Sequence, residues 1–427
     1  MNIAEYSKTV RLGDITEKKR GISYGIVQPG THENSGVPIV RVADIRNGEI
    51  DTTKPLKVSK IIEENYKRTR LCGGELLITI VGTVGETAIV PYQMKGWNVA
   101  RAVAVIPVEE EVGPYWVKLA LCGSAAREII QARLNTTVQA TLNLRDLADL
   151  PIPIPPPRIR NEITALLGAL DDKIDLDRRT NETLEAMARA LFRDWFVDFG
   201  PTRAKMAGQT PYLASEVWEL FPDRLDDEGK PEGWNFSSIY DVASVVYGAP
   251  FASSLFNTQG EGIPLVRIRD LPSEKPGVWT TENHPKGFKI LPGMIVVGMD
   301  GEFRAHLWGG EEAWLNQRVC IFLPNEGISS VFLRETIIPQ LKFIEDTEVA
   351  TTVIHLGKGD INEFTAIVPS RGLMSSFNDA AEVFYEKIVR NKQEARTLVQ
   401  LRDLLLPKLM SGEIRIRDAE KMVADAL

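Results

Sequence analysis

Between Pro157 and Phe196 the chain reads PRIRNEITALLGALDDKIDLDRRTNETLEAMARALFRDWF. Apolar side chains at Ile163, Leu167, Leu170, Ile174, Leu184, Leu191 and Trp195 keep a 3-4 spacing that Asp177, Asn181 and Ala188 interrupt. Such spacing is a heptad seam and predicts one long helix that packs lengthwise against another. A partner lies in the same chain. Shifted by 214 residues, the seam falls on Phe377, Ala381, Phe384, Ile388, Leu398, Leu405 and Leu409, with Asn391, Ala395 and Arg402 at the weak points. Two matched long helices, each following a globular segment, divide the chain into similar halves.

The globular segments repeat as well. Residues 1–155 carry short β-branched runs at 36–42, 75–81 and 102–106, broken by Gly and Pro, with helix-like sequence from Tyr115 to Arg133. Leu150-Pro-Ile-Pro-Ile-Pro-Pro-Pro157 is too proline-rich for helix or central strand and predicts an extended exit into the long helix. Leu12-Gly-Asp-Ile15 returns as Ile239-Tyr-Asp-Val242, and Gly36-Val-Pro-Ile-Val-Arg-Val-Ala-Asp-Ile45 as Gly262-Ile-Pro-Leu-Val-Arg-Ile-Arg-Asp-Leu271. Trp97, Arg101 and Pro107 match Trp314, Arg318 and Pro324, and Thr136-Thr-Val138 matches Thr351-Thr-Val353. The offset drifts from 227 to 214 and then holds through the helices, as in a duplication whose loops diverged while the helical register did not. The expected fold is α+β: two similar strand-rich domains separated by two long antiparallel coiled-coil helices, with a pseudo-two-fold internal repeat. Its parts are domain one (1–155), central helix (156–200), connector (201–233), domain two (234–369) and distal helix (370–427).

A chain of 427 residues with 44% hydrophobic and 25% charged residues has room for two substantial cores. No run of about 18 apolar residues predicts a transmembrane helix. The early residues Asp14 and Glu17, with no apolar core segment, do not read as a secretory signal. Cys72, Cys122 and Cys320 read as buried thiols in a reducing compartment, the cytoplasm. The net charge of −8 argues against bulk attraction to nucleic acid, yet residues 1–108 are locally +4 and residues 201–235 locally −3.

The ordered set of repeats resembles the specificity subunits of type I restriction–modification systems across essentially the full length. The resemblance rests on the two Gly-x-Pro-x-Val-Arg-x-x-Asp openings and the Pro-Ile-Pro-x-Pro exit. It rests also on Met187-Ala-Arg-Ala-Leu-Phe-Arg-Asp-Trp-Phe-Val-Asp-Phe199 and on Leu404-Leu-Leu-Pro-Lys-Leu-Met-Ser-Gly-Glu-Ile414. It implies a non-catalytic reader of double-stranded DNA, with one half of a split, asymmetric site per domain. Helices of roughly 35–40 residues at about 1.5 Å per residue would act as a spacer of some 50–60 Å, about one to two turns of duplex. The helices would also dock two modification subunits, adenine methyltransferases carrying S-adenosylmethionine. Through these come restriction and translocase subunits that use ATP and Mg. This chain itself would bind no cofactor.

DNA readers need cationic and amide side chains on loops. The first half offers Lys18, Lys19, Arg20, Tyr24, Arg46, Lys57, Lys67, Arg68, Arg70 and Gln139. The second offers Tyr247, Arg269, Lys286, Arg304, His306 and Lys358. Arg41 with Asp44 and Arg267 with Asp270 recur in both halves, which points to turn-fixing pairs, since the halves should read different sequences. Trp195, Phe196 and Phe199 are either helix-to-domain core or an anchor for a partner subunit. Asp223, Glu228 and Lys230 mimic a nuclease cluster but crowd into a turn-rich stretch. His32, His284, His306 and His355 stand too far apart for a metal site. Neither a P-loop nor an adenine-methylation motif is present, so no catalytic residue is expected. The competing reading, favoured by net acidity, is a two-domain protein scaffold that does not touch DNA.

Overall fold

A computed structural model describes residues 8–46, 48–134, 140–347 and 354–426. Helices α1 (Pro114–Cys122), α2 (Pro157–Phe196), α3 (Ser330–Thr347) and α4 (Arg371–Ser411) carry the architecture. The chain forms two compact units, one of residues 1–172 with 398–427 and one of residues 173–397, so each long helix contributes to both.

In the first unit a four-stranded sheet runs in the order 23–24, 103–106, 76–79, 87–89. A three-stranded sheet is centred on Val37–Val40, which pairs antiparallel with Leu56–Val58 and parallel with Asn98–Val99. The proline exit Pro151–Ile154 forms a two-stranded ribbon with Lys8–Arg11, where its missing N–H groups need no second neighbour. The helix-like stretch is broken in two, because the chain is extended at Gly123 between α1 and Ser124–Ala132. Helix α1 buries Trp116, Val117 and Leu121. Ile163, Leu167 and Leu170 of α2 and Leu398, Leu405 and Leu409 of α4 are all buried.

The second unit repeats this plan. Its four-stranded sheet runs 243–247, 319–324, 295–298, 305–307. Ile263–Val266 again pairs antiparallel with one neighbour, Trp279–Thr280, and parallel with another, Ala313–Leu315. Asn235–Ser238 forms the terminal ribbon with Thr365–Val368. Here α2 and α4 run antiparallel: Lys173 meets Glu394 at 2.9 Å and, further along α2 but earlier on α4, Asn181 meets Asn391 at 2.8 Å.

The structure decides one open reading and corrects two expectations. Trp195 and Phe196 are only 2% and 3% exposed and pack on Phe221, Trp234, Phe332 and Phe377, so they are core residues and not a docking surface. Phe199 packs against the same core and ends the helix with a left-handed backbone, φ 53°. Ile174, Leu184, Leu191 and Phe384 of the seam are half-buried, while Ala188, Phe192, Ile388 and Tyr385 are buried. The buried stripe is wider than a two-helix seam because α3 packs there too, through Phe332 against Phe192 and Arg334 against Tyr385. Of the cysteines only Cys320 is buried: Cys72 is exposed and Cys122 half-buried. The acidic 201–233 connector carries helices Gly200–Met206 and Ser215–Trp218 and buries Phe221 in the core.

Candidate nucleic-acid interface

Equivalent loops close in the same way in both units. In the first, the Gly82 N–H donates to Ala140 O at 2.9 Å and the Leu142 N–H to Ile80 O at 2.9 Å. In the second, the Gly301 N–H donates to Ile354 O at 3.0 Å and the Leu356 N–H to Met299 O at 2.8 Å. Gly82 and Gly301 share φ near +80°, which a Cβ disfavours. The Thr-Thr-Val repeats at 136–138 and 351–353, and Gln139, lie outside the described residues.

A Tyr-Gly pair recurs next to these loops. A Cβ on Gly25 would sit 1.8 Å from Val99 O, and one on Gly248 1.9 Å from Asn316 O, so only glycine fits either place. Tyr24 is 44% exposed, whereas the Tyr247 hydroxyl is buried with no partner among the described residues and burial pushes its pKa up. Tyr247 as a whole is half-buried, with its hydroxyl turned away from solvent.

Lys18 and Lys19 project from a turn closed by the Gly21 N–H to Glu17 O bond of 2.8 Å and make no ion pair among the described residues. Exposed Arg68 donates to Arg20 O, which brings it beside that turn. Arg20 and Arg70 do different work. Arg20 donates to Glu75 at 2.7 Å, and the buried Glu75 also accepts from the Cys72 and Gly73 N–H groups. Arg70 grips Glu63 at 2.8 and 2.5 Å, and Glu63 accepts a further bond from buried Asn98. The Arg70 bond outweighs burial and holds the Glu63 carboxyl below its ordinary pKa. Removing either arginine would strand a buried carboxylate, so both act as framework. Lys67 pairs with Glu64, Lys57 donates to Asn34 O at 3.2 Å, and Arg46 to Ala43 O at 3.2 Å.

In the second unit Arg269, Lys286 and Lys358 are exposed and unpaired among the described residues, and no hydrogen bond or ion pair joins them there. Arg304 is bound through one guanidinium nitrogen to both Glu345 oxygens at 2.9 and 3.0 Å. His306, on the strand Ala305–Leu307, is held neutral: burial and then the neighbouring charges of Lys392, Arg334 and Arg304 push it down to about 4. It offers no positive charge to a phosphate at neutral pH.

One cluster escaped the sequence reading. His355 Nδ1 lies 2.7 Å from Asp300 and 3.0 Å from Met299 O, and Arg318 sets one guanidinium nitrogen against the ring, 3.1 Å from Nδ1 and 3.2 Å from Nε2. The Arg318 side chain is 55% exposed and its backbone is left-handed at φ 69°. The signal was in the sequence: Arg318 is the repeat partner of Arg101 in the Trp-Arg-Pro pattern.

The turn-fixing reading of the recurrent pairs is what the geometry gives. The Asp44 carboxylate accepts from the Arg41 N–H and side chain at 2.7–3.0 Å, and Asp270 does the same for Arg267 at 3.0–3.3 Å. Lys230 folds back onto Asp226 and Glu228, each at 2.5 Å, within its own turn. Among the described residues no three His, Cys, Asp or Glu side chains are grouped to hold a metal ion, and no helix is long and apolar enough to cross a membrane.

Residues 5–186 match the family model of the type I restriction modification DNA specificity domain. Over those residues the chain resembles the specificity subunits of type I restriction–modification systems. It is 26% identical over 338 residues to the type I restriction enzyme HindI specificity subunit of Haemophilus influenzae, covering 67% of this chain and 73% of that one. It is 32% identical over 221 residues to the EcoBI specificity subunit of Escherichia coli, covering 49% and 45%. The match to the MjaIX specificity subunit of Methanocaldococcus jannaschii is 26% over 282 residues, covering 64% and 62%. The matches thus span between 45% and 73% of these relatives. In fold, the chain resembles the crystal structure of a type I restriction–modification S subunit from M. genitalium, with a TM-score of 0.51 at 14% identity over 94% of this chain and 96% of that one.

Proposed function

We propose that this specificity subunit reads a bipartite, asymmetric DNA site, one half through residues 1–155 and the other through residues 234–369. The supporting observation is a shared framework with different exposed chemistry. The loop closures and Tyr-Gly pairs repeat, while the exposed polar groups stand at different places: Lys18, Lys19 and Arg68 around a turn of one half, Asp300, Arg318 and His355 clustered in the other. A framework that repeats and a surface that does not are what two different half-sites demand.

The chain is a non-catalytic subunit in this reading, working in the cytoplasm. Its long helices set the distance between half-sites and dock two adenine methyltransferase subunits, which hold S-adenosylmethionine. Restriction and translocase subunits using ATP and Mg join through them. Long-read methylation mapping in cells expressing this chain with its modification subunit tests the proposal. The expected result is a split motif with adenine modified on opposite strands, and replacing residues 234–369 with another such domain should alter one half-site only. A chain that assembles with active methyltransferase yet directs no methylation, and binds duplex DNA with no salt dependence, would belong to the scaffold class instead.

A further inference from the structure

Each unit holds its globular part to the long helices with a polar clasp, and the two clasps differ in where their charge sits. Helices α1 and α3 are counterparts 216 residues apart, since Trp116, Val117 and Leu121 match Phe332, Leu333 and Ile337 and all six are buried. In that register Tyr115, Lys118 and Leu119 correspond to Val331, Arg334 and Glu335. On the long helices the 214-residue offset equates Asp171 with Tyr385 and Ala188 with Arg402.

In the first unit the carboxylate belongs to the long helix. Asp171 accepts from the Tyr115 hydroxyl at 2.8 Å and from Arg402 at 2.7 Å, with the Lys118 ammonium at 3.8 Å. In the second unit the carboxylate belongs to the globular part. Glu335, 5% exposed, accepts from the Tyr385 hydroxyl at 3.2 Å and lies 3.6 Å from Arg189. Arg334 donates to Tyr385 at 2.9 Å and to Ala305 O at 2.7 Å, and lies 3.7 Å from Glu185. Ala188, fully buried, stands where the first unit has Arg402.

We infer that the clasps form a positional key, which excludes the second recognition domain from the first seat on the helix pair. The key rests on the two-domain reading above. Seated first, the second domain would bring Glu335 against the Asp171 carboxylate in place of the Tyr385 hydroxyl. A hydrogen bond becomes a contact between two carboxylates that must share the guanidinium groups of Arg402 and Arg334. The converse placement sets Leu119, not a carboxylate, opposite Tyr385, and Lys118 finds Glu185 nearby. The exclusion therefore runs one way, and Glu335 carries it.

The test compares full-length chains co-expressed with the modification subunit. A chain with residues 234–369 in place of 1–155 should assemble poorly and direct at least tenfold less methylation than wild type. Glu335→Leu in the grafted copy should restore methylation at a motif carrying the second half-site twice. Within the intact chain, Tyr385→Asp imports the foreign carboxylate. It should lower the unfolding temperature by several degrees, and Glu335→Leu should recover most of that loss. Equal performance of the graft with and without Glu335→Leu, or a Tyr385→Asp chain as stable as wild type, overturns the key. The unfolding comparison does not depend on DNA, so a wild-type chain that directs no methylation counts against the proposed function and leaves the key to be judged by stability.

Discussion

Asn391 donates its side-chain amide to Asn181 at 2.8 Å between α4 and α2, and its own carbonyl oxygen, fully buried, has no partner among the described residues. Both lie where the seam would otherwise be apolar. An incompletely satisfied pair of amides weakens the interface but opposes sliding of one helix along the other, because any shift strands both.

The first prediction follows from that pair. Asn181→Leu with Asn391→Leu should match or exceed wild-type stability in thermal unfolding, whereas Asn391→Ala alone should cost about 1–3 kcal/mol. Methylation directed by the double-leucine chain should spread to motifs with altered spacing between half-sites. A double variant that is no less selective for one spacing would show that register is set elsewhere in the seam.

Gly25 and Gly248 yield the second. Each lies against a backbone carbonyl that a Cβ would overlap, so Gly25→Ala and Gly248→Ala should each destabilise by at least about 2 kcal/mol. Gly359→Ala, with open space around it, is the control and should stay within about 0.5 kcal/mol. Urea unfolding of the three variants decides; equal midpoints would mean that the strand can give way.

Much of this was legible in the sequence for identifiable reasons. The 3-4 spacing of Ile163, Leu167 and Leu170 and the copied Arg41–Asp44 and Arg267–Asp270 pairs are short-range patterns, and short-range patterns survive in a one-dimensional reading. Ionic framework does not. Nothing local in Lys67-Arg68-Thr-Arg70 says that Arg70 reaches Glu63 while Arg68 stays exposed, because their partners are chosen by the fold. His306 reads as a candidate DNA contact for the same reason, since its burial beside Lys392 and Arg334 depends on residues far along the chain. Trp195 and Phe196 read equally well as core or anchor until Phe332 and Phe377 were seen to cover them.

His306 supplies a pH prediction. Its folded pKa of about 4 lies below the ordinary 6.5, so between those values the unfolded chain binds more protons than the folded one. Stability from this group is complete above pH 6.5 and is lost as the pH falls toward 4, by about 2 kcal/mol at pH 5. Glu335 works in the opposite sense, because burial raises its pKa and its protonation favours the folded state as the pH falls. The difference between wild type and His306→Gln in urea unfolding at pH 7 and pH 5 isolates the histidine. An unchanged difference between the two pH values would mean that His306 is solvated and free to charge.

The last prediction separates positioning from reading. Lys18 and Lys19 are exposed, unpaired among the described residues and mounted on a short turn, the geometry of phosphate contacts. Lys18→Ala with Lys19→Ala should weaken binding to all duplexes alike and reduce the slope of log affinity against log salt by about 2. Arg318 is held by His355, which Asp300 orients, and a fixed guanidinium suits the two acceptors on the major-groove edge of guanine. Arg318→Ala should leave the salt slope nearly unchanged and relax one position of the second half-site by about 1–3 kcal/mol. His355→Ala, which frees the guanidinium without removing it, should relax the same position to a smaller degree. Loss of affinity for every sequence in the Arg318 variant would instead make it a phosphate contact, and its acidic neighbour Asp300 would then need another role.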